Sequence, residues 1–169
     1  MLWQIGLGHG NSTPVLSGDT AVVHGLARDT CAYKLTPQTA EKMWVQHDYT
    51  DANRGLSPLI FQDHVYIVGG TYRPYEAVCF DLRTGEKKWE APNRRGSGCD
   101  SSLLADGKII RASLQKLMML KATPDKFTLL AETVNVKAEG GSSPAIAGGM
   151  LYVRLKDCIA CYDLTAAGN

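Results

Sequence analysis

The 169-residue chain has no adjacent cysteines, no excess of one charge and no long apolar run. Each absence removes a class of function. The apolar stretches fall far short of the roughly 18 to 20 residues of a spanning helix, so no membrane span is expected. Eighteen Lys and Arg against seventeen Asp and Glu leave a formal charge of +1, with Lys87-Lys88 and Arg94-Arg95 the only basic doublets. Phosphate backbones call for a concentrated basic face, so no nucleic-acid partner is expected. Helical periodicity is also missing, and Met1-Leu2-Trp3-Gln4 has neither the basic region nor the apolar core of a signal peptide. With 44 % hydrophobic and 21 % charged residues, the composition is that of an ordinary globular chain able to bury a core. Aromatics make up only 8 %, with three tryptophans, so their placement carries information.

What is present is a repeat. Ser12-Thr13-Pro14, Ser57-Pro58, Ser101-Ser102 and Ser143-Pro144 open four similar units, with Pro14, Pro58, Ser102 and Pro144 spaced by 44, 44 and 42 residues. Gly10, Gly55, Gly98 and Gly141 precede these steps. Each step leads into two apolar runs split by a turn, such as Leu103-Leu104-Ala105, Asp106-Gly107, Lys108-Ile109-Ile110. That pattern is a β-hairpin. A third apolar run follows, at Cys31-Ala32-Tyr33, Ala77-Val78-Cys79-Phe80, Leu117-Met118-Met119-Leu120 and Cys158-Ile159-Ala160-Cys161-Tyr162. A fourth strand is expected to carry Trp44, Trp89 or, in the third copy, Leu129-Leu130.

Four short strands in each unit of this length predict an all-β chain, a β-propeller of four-stranded antiparallel blades, about four in number. The single domain 1–169 divides into repeats at about 11–54, 55–98, 99–140 and 141–169. Residues 1–10 read as the last strand of a preceding or closing blade, because Trp3 stands before the first repeat as Trp44 stands before the second.

The segment from Cys79 to Trp89 contains a small residue, then Asp81, Thr84-Gly85 and Trp89 at fixed spacing. It resembles the docking signature of the quinoprotein-like, or PQQ-like, propeller repeats. The resemblance covers nearly the whole chain, and the second copy carries the signature most completely. It implies that the Asp and Thr-Gly segment shapes a tight turn while the indole packs on the neighbouring blade. Trp3, Trp44, Asp81, Thr84, Gly85, Trp89 and Asp163 are accordingly structural docking residues. Because the family forms rings of seven or eight blades, the chain reads as half a ring. It would be the C-terminal half of a longer protein, or one of two chains that self-associate to close a ring, or, least favoured, a self-closed four-bladed ring.

No catalytic, cofactor-binding or metal-binding residue can be assigned. Cys158 and Cys161 have the spacing of zinc and redox motifs, but Cys161 precedes Asp163 as Cys79 precedes Asp81, so both are expected to be buried structural thiols. His9, His24, His47 and His64 stand singly. Possible ligand contacts lie in loops that interrupt the repeat, at Asn53, Arg54, Arg73, Tyr75, Arg94 and Arg95. The chain is similar to non-catalytic bacterial members of the family, of the type of the lipoprotein that helps assemble outer-membrane barrels. That implies a non-enzymatic scaffold or binding module with a protein partner and no cofactor. The alternative is a fragment of a pyrroloquinoline quinone-dependent dehydrogenase, for which the resemblance would imply that quinone, calcium, an aspartate base and adjacent cysteines. The family is commonly exported, to the periplasm or beyond.

Overall fold

A computed structural model describes residues 1–7, 12–25, 29–47, 56–69, 75–92, 101–113, 116–134, 136, 138 and 142–165. Among them there is no helix, and fifteen strands build four antiparallel sheets. The first sheet is β1 (Val15–Ser17), β2 (Thr20–His24), β3 (Thr30–Leu35) and β4 (Ala40–Gln46). The second is β5 (Leu59–Phe61), β6 (His64–Val68), β7 (Tyr75–Asp81) and β8 (Lys87–Pro92). The third is β9 (Ser101–Ala105), β10 (Lys108–Ala112), β11 (Lys116–Lys121) and β12 (Leu129–Val134). The last, with three strands, is β13 (Ala145–Ala147), β14 (Met150–Arg154) and β15 (Ile159–Asp163). Within every sheet the strands lie side by side in chain order.

Turn chemistry explains the first hairpin of each unit. Asp106-Gly107 and Gly148-Gly149 both have positive φ at their two central residues, the requirement of the tight turn that matches strand twist. Gln62-Asp63 adopts the same backbone without a glycine, at φ 46° and 60°.

The sheets stack face to face as propeller blades do, because alternate residues on each strand are apolar in both directions. Val22, Ala32 and Trp44 of the first sheet pack on Val65, Val78 and Phe80 of the second. Tyr66, Val68, Ala77 and Cys79 on its other face meet Ile109, Met118 and Leu120 of the third. Ile110, Ala112 and Leu117 then meet Leu151 and Val153 of the fourth. The small residues that open each unit also link neighbours: Ser57 Oγ accepts the Thr13 N–H at 3.0 Å, and Ser101 Oγ donates to Ser143 Oγ at 2.9 Å.

A register shift recurs in the third strand of three sheets, between Ala32 and Tyr33, Cys79 and Phe80, and Met119 and Leu120. Just before the shift, Ala32 faces Trp44, Cys79 faces Trp89 and Met119 faces Ala131. The position equivalent to the tryptophans in the third copy is therefore Ala131. Leu129-Leu130 open the fourth strand as expected, but the residue facing Met119 is Ala131.

Gly85 shows how tightly the sheets fit. Its φ is +72°, and a Cβ there would lie 2.7 Å from the Cγ and Cδ2 atoms of Trp44 on the neighbouring sheet. Gly85→Ala is expected to destabilise the chain by about 1 to 3 kcal/mol, from backbone strain and overpacking together. Urea unfolding of the variant against the wild type measures this directly.

Candidate functional site

The docking residues form a directional row. Trp3 Nε1 donates to the Thr36 carbonyl at 3.1 Å, Trp44 Nε1 to that of Leu82 at 2.8 Å and Trp89 Nε1 to that of Thr123 at 2.8 Å. For Trp44 and Trp89 the acceptor lies in the turn before the last strand of the next sheet. Trp44 also meets Phe80 at 6.2 Å between ring centroids, and Trp89 meets Phe127 edge-on at 5.8 Å. Asp81 Oδ1 shapes one acceptor turn by taking the Arg83 N–H at 3.0 Å, the Thr84 N–H at 2.8 Å and the Thr84 hydroxyl at 2.9 Å. Burial pushes the Asp81 carboxyl up, but the hydrogen bonds from Thr84 and Arg83 outweigh it and hold the group below its ordinary value. Asp163 repeats the arrangement, accepting the Thr165 N–H at 2.8 Å and its hydroxyl at 2.6 Å. The indoles link neighbouring units, while the Asp81 and Asp163 carboxylates hold turns within their own sheets.

Of the loop positions singled out in the sequence, Asn53, Arg54, Arg73, Arg94 and Arg95 lie outside the described residues. Tyr75 opens β7, with its backbone paired to Pro92. By alternation of strand direction, the start of β5, the β6–β7 connection and the end of β8 share one end of their sheet.

Near that end lies a charged group that the sequence reading missed. Arg111 of β10 is 0 % exposed, and its Nη1 donates to Glu76 Oε1 at 2.8 Å and contacts Met118 Sδ at 3.6 Å. Lys116 Nζ lies 2.6 Å from the same Glu76 oxygen and 3.2 Å from Glu132 Oε2. A usable signal was available: Arg111 shares the inward face of β10 with Ile109, where a charge must be paired to be tolerated.

A pocket of about 190 Å³ opens on the first sheet, bordered by Ser12, His24, Asp29, Cys31, Tyr33 and Lys42, with Gly6 and Leu7 on its far side. His24 is buried there. Its Nδ1 lies 3.0 Å from Thr30 Oγ1, while its carbonyl accepts the Ser12 hydroxyl. Burial lowers the His24 pKa to about 4, against the weaker opposing pull of the Asp29 charge. Burial likewise raises the Cys31 thiol and the Tyr33 phenol. His24, Cys31 and Tyr33 are therefore neutral at pH 7 and share the pocket wall with the acidic Asp29 and the basic Lys42, whose Nζ lies 6.0 Å from the Tyr33 ring centroid.

The remaining thiols divide by position. Cys79 is buried, and burial pushes it up to about 12, so it stays a protonated core residue. Cys158 and Cys161 are exposed, contrary to the burial expected from the repeat: Cys158 lies in the connection before β15, and Cys161 lies on the outward face of the last sheet, over which no sheet packs among the described residues. Among the described residues no three His, Cys, Asp or Glu side chains gather in a way that could hold a metal ion. No helix among them is long and apolar enough to cross a membrane.

No protein-family model and no curated protein matches the chain. Solved structures do. The crystal structure of BamB from Moraxella catarrhalis is similar with a TM-score of 0.67 at 16 % identity, over 92 % of this chain and 47 % of that one. The computationally designed Ika4 protein gives a TM-score of 0.65 at 9 % identity, over 95 % and 94 % of the two chains. A europium-containing methanol dehydrogenase gives 0.54 at 13 % identity, over 72 % and 24 %. The fold is therefore that of a β-propeller, and the chain spans about half the length of the BamB chain it matches.

The buried His24 carries a pH dependence. It titrates near 6.5 when unfolded and near 4 when folded, so the unfolded chain binds the extra proton between those values. The stabilisation from keeping His24 neutral is complete above pH 6.5 and is lost as the pH falls toward 4, by up to roughly 3 kcal/mol. His24→Gln removes that group, and its stability measured from pH 7 to pH 4 is expected to fall less steeply than the wild type's.

Proposed function

We propose that this chain is a non-enzymatic propeller scaffold whose protein partner docks by blade stacking, and that the partner is a second copy completing the ring. One observation carries the reading. By strand register, Tyr152, Arg154, Ile159 and Cys161 on the outward face of the last sheet correspond to Tyr66, Val68, Ala77 and Cys79. Those four are buried against the third sheet, whereas Ile159 is 73 % exposed and Tyr152 39 %. An apolar face that is covered everywhere else in the stack marks an interaction surface.

The first sheet offers a smaller open surface. Leu16, Ala21, Cys31 and Tyr33 correspond to Leu104, Ile109, Met118 and Leu120, the residues with which the third sheet receives the second. Leu16 is 62 % exposed, while Ala21, Cys31 and Tyr33 are already buried within the chain. Trp3 stands to Thr36 as Trp89 stands to Thr123, which supports reading the N-terminal residues as the last strand of a preceding or closing blade. Among the described residues β15 pairs only with β14, leaving an edge on which that strand from a second copy fits. An exported setting accompanies this reading as an expectation.

The quinone-dependent reading finds less support in the residues. A calcium site needs several oxygen ligands, and no carboxylate cluster that could hold a metal stands among the described residues. No two cysteines are adjacent in the sequence.

Light scattering over a range of concentrations is expected to give twice the monomer mass, with Ile159→Asp plus Tyr152→Glu weakening association by about tenfold or more. A compact monomer at high concentration overturns the reading. Saturable fluorescence quenching by pyrroloquinoline quinone with calcium would favour the dehydrogenase fragment instead.

A further inference from the structure

The row of indoles breaks at one place. Ala131 occupies the position of Trp44 and Trp89, yet several elements of the receiving side stand among the described residues of the last sheet. Tyr162 pairs with Leu151 as Phe80 pairs with Val65, so Tyr162 stands where Phe80 meets the Trp44 ring. Leu164 donates its N–H to the Gly149 carbonyl as Leu82 does to that of Asp63, so its own carbonyl corresponds to the acceptor of Trp44 Nε1. Asp163 holds its turn through Thr165, two residues on, where Asp81 uses Thr84, three residues on. Among these described elements, no indole is inserted.

What remains is a pocket of about 190 Å³ between β11, β12 and the last sheet, with Met119, Ala131, Leu151, Tyr162 and Leu164 in its walls. It continues the packed interface of Ile110 and Leu117 against Leu151 and Val153. Apolar cavities of this order take up aromatic guests that replace the contacts the walls lack. We propose that this pocket is a binding site for a small planar aromatic molecule with a ring N–H donor, of the indole class. The ring lies against Tyr162 and Met119, and its N–H is directed at the Leu164 carbonyl. The ligand class follows from the chain itself, which fills the two preceding sheet interfaces with an indole that donates a hydrogen bond to the next sheet.

The site is separate from the outward face of the last sheet, so this inference does not depend on the assembly reading. The probe is free indole, titrated against the full chain while the Met119 and Leu151 methyl resonances and the melting temperature are followed. Indole is expected to bind saturably, to shift those methyls and to raise the melting temperature. Ala131→Trp, which fills the pocket covalently, is expected to melt higher than the wild type and to weaken indole binding by about tenfold or more. Should that variant not fold, Ala131→Leu serves, with a smaller loss of affinity. Naphthalene, with a similar ring system and no N–H, is expected to bind more weakly. No saturable binding, or equal indole binding by the filled variants, overturns the site, and equal binding of naphthalene overturns the N–H assignment. Loss of self-association in Ala131→Trp would mean that a second copy fills the pocket, and would overturn the small-molecule assignment.

Discussion

A sheet that is apolar on both faces cannot stand alone in water, and every sheet of this chain is of that kind. Tyr66 and Val65 are neighbours on one strand and face opposite ways, yet both are buried. The second sheet therefore needs a neighbour on each side, and the first and third supply them. Burying two faces contributes apolar area at roughly 25 cal/mol per Å² on each. The indole hydrogen bonds add direction to that non-specific gain, since each engages one carbonyl on one neighbour. Packing makes stacking favourable, and the tryptophans set its register.

Much of the architecture was legible because it depends on local chemistry. Two of the tight turns carry Asp-Gly and Gly-Gly at their centres, and the Asp81 and Thr84 turn uses an acceptor and a hydroxyl three residues apart. Those residue types announce themselves. Features that depend on non-local geometry were not legible. That Ala131 faces Met119 as Trp44 faces Ala32 and Trp89 faces Cys79 follows from strand register, which spacing alone could not show. The exposure of Cys161 depends on whether another sheet covers its face, a fact that no residue near it encodes. The pairing of Arg111 with Glu76 joins residues 35 positions apart on different sheets. As for the loop positions, only Tyr75 begins a described strand, so their arrangement stands apart from that comparison.

The electrostatics of the interior fit a framework more than a reactive centre. His24 is held neutral, Cys79 is held protonated, and the Glu76 carboxylate is shared between Arg111 and Lys116. A buried ion pair of this kind adds little net stability over an apolar pair, but losing one partner strands a charge. Its value lies in fixing how the second sheet meets the third. The same can be said of the serine contacts between the openings of adjacent units.

All three tryptophans point one way along the chain, each toward the sheet that follows it. A stack with that polarity has two unlike ends, and the contact between them is head to tail. Such a contact, repeated, either returns to its starting point or continues without limit, and the rotation per blade decides which. The angle set by a few indoles is thus what separates a finite ring from a fibre, and a substitution that altered it would change the size of the assembly before it changed the fold of any blade.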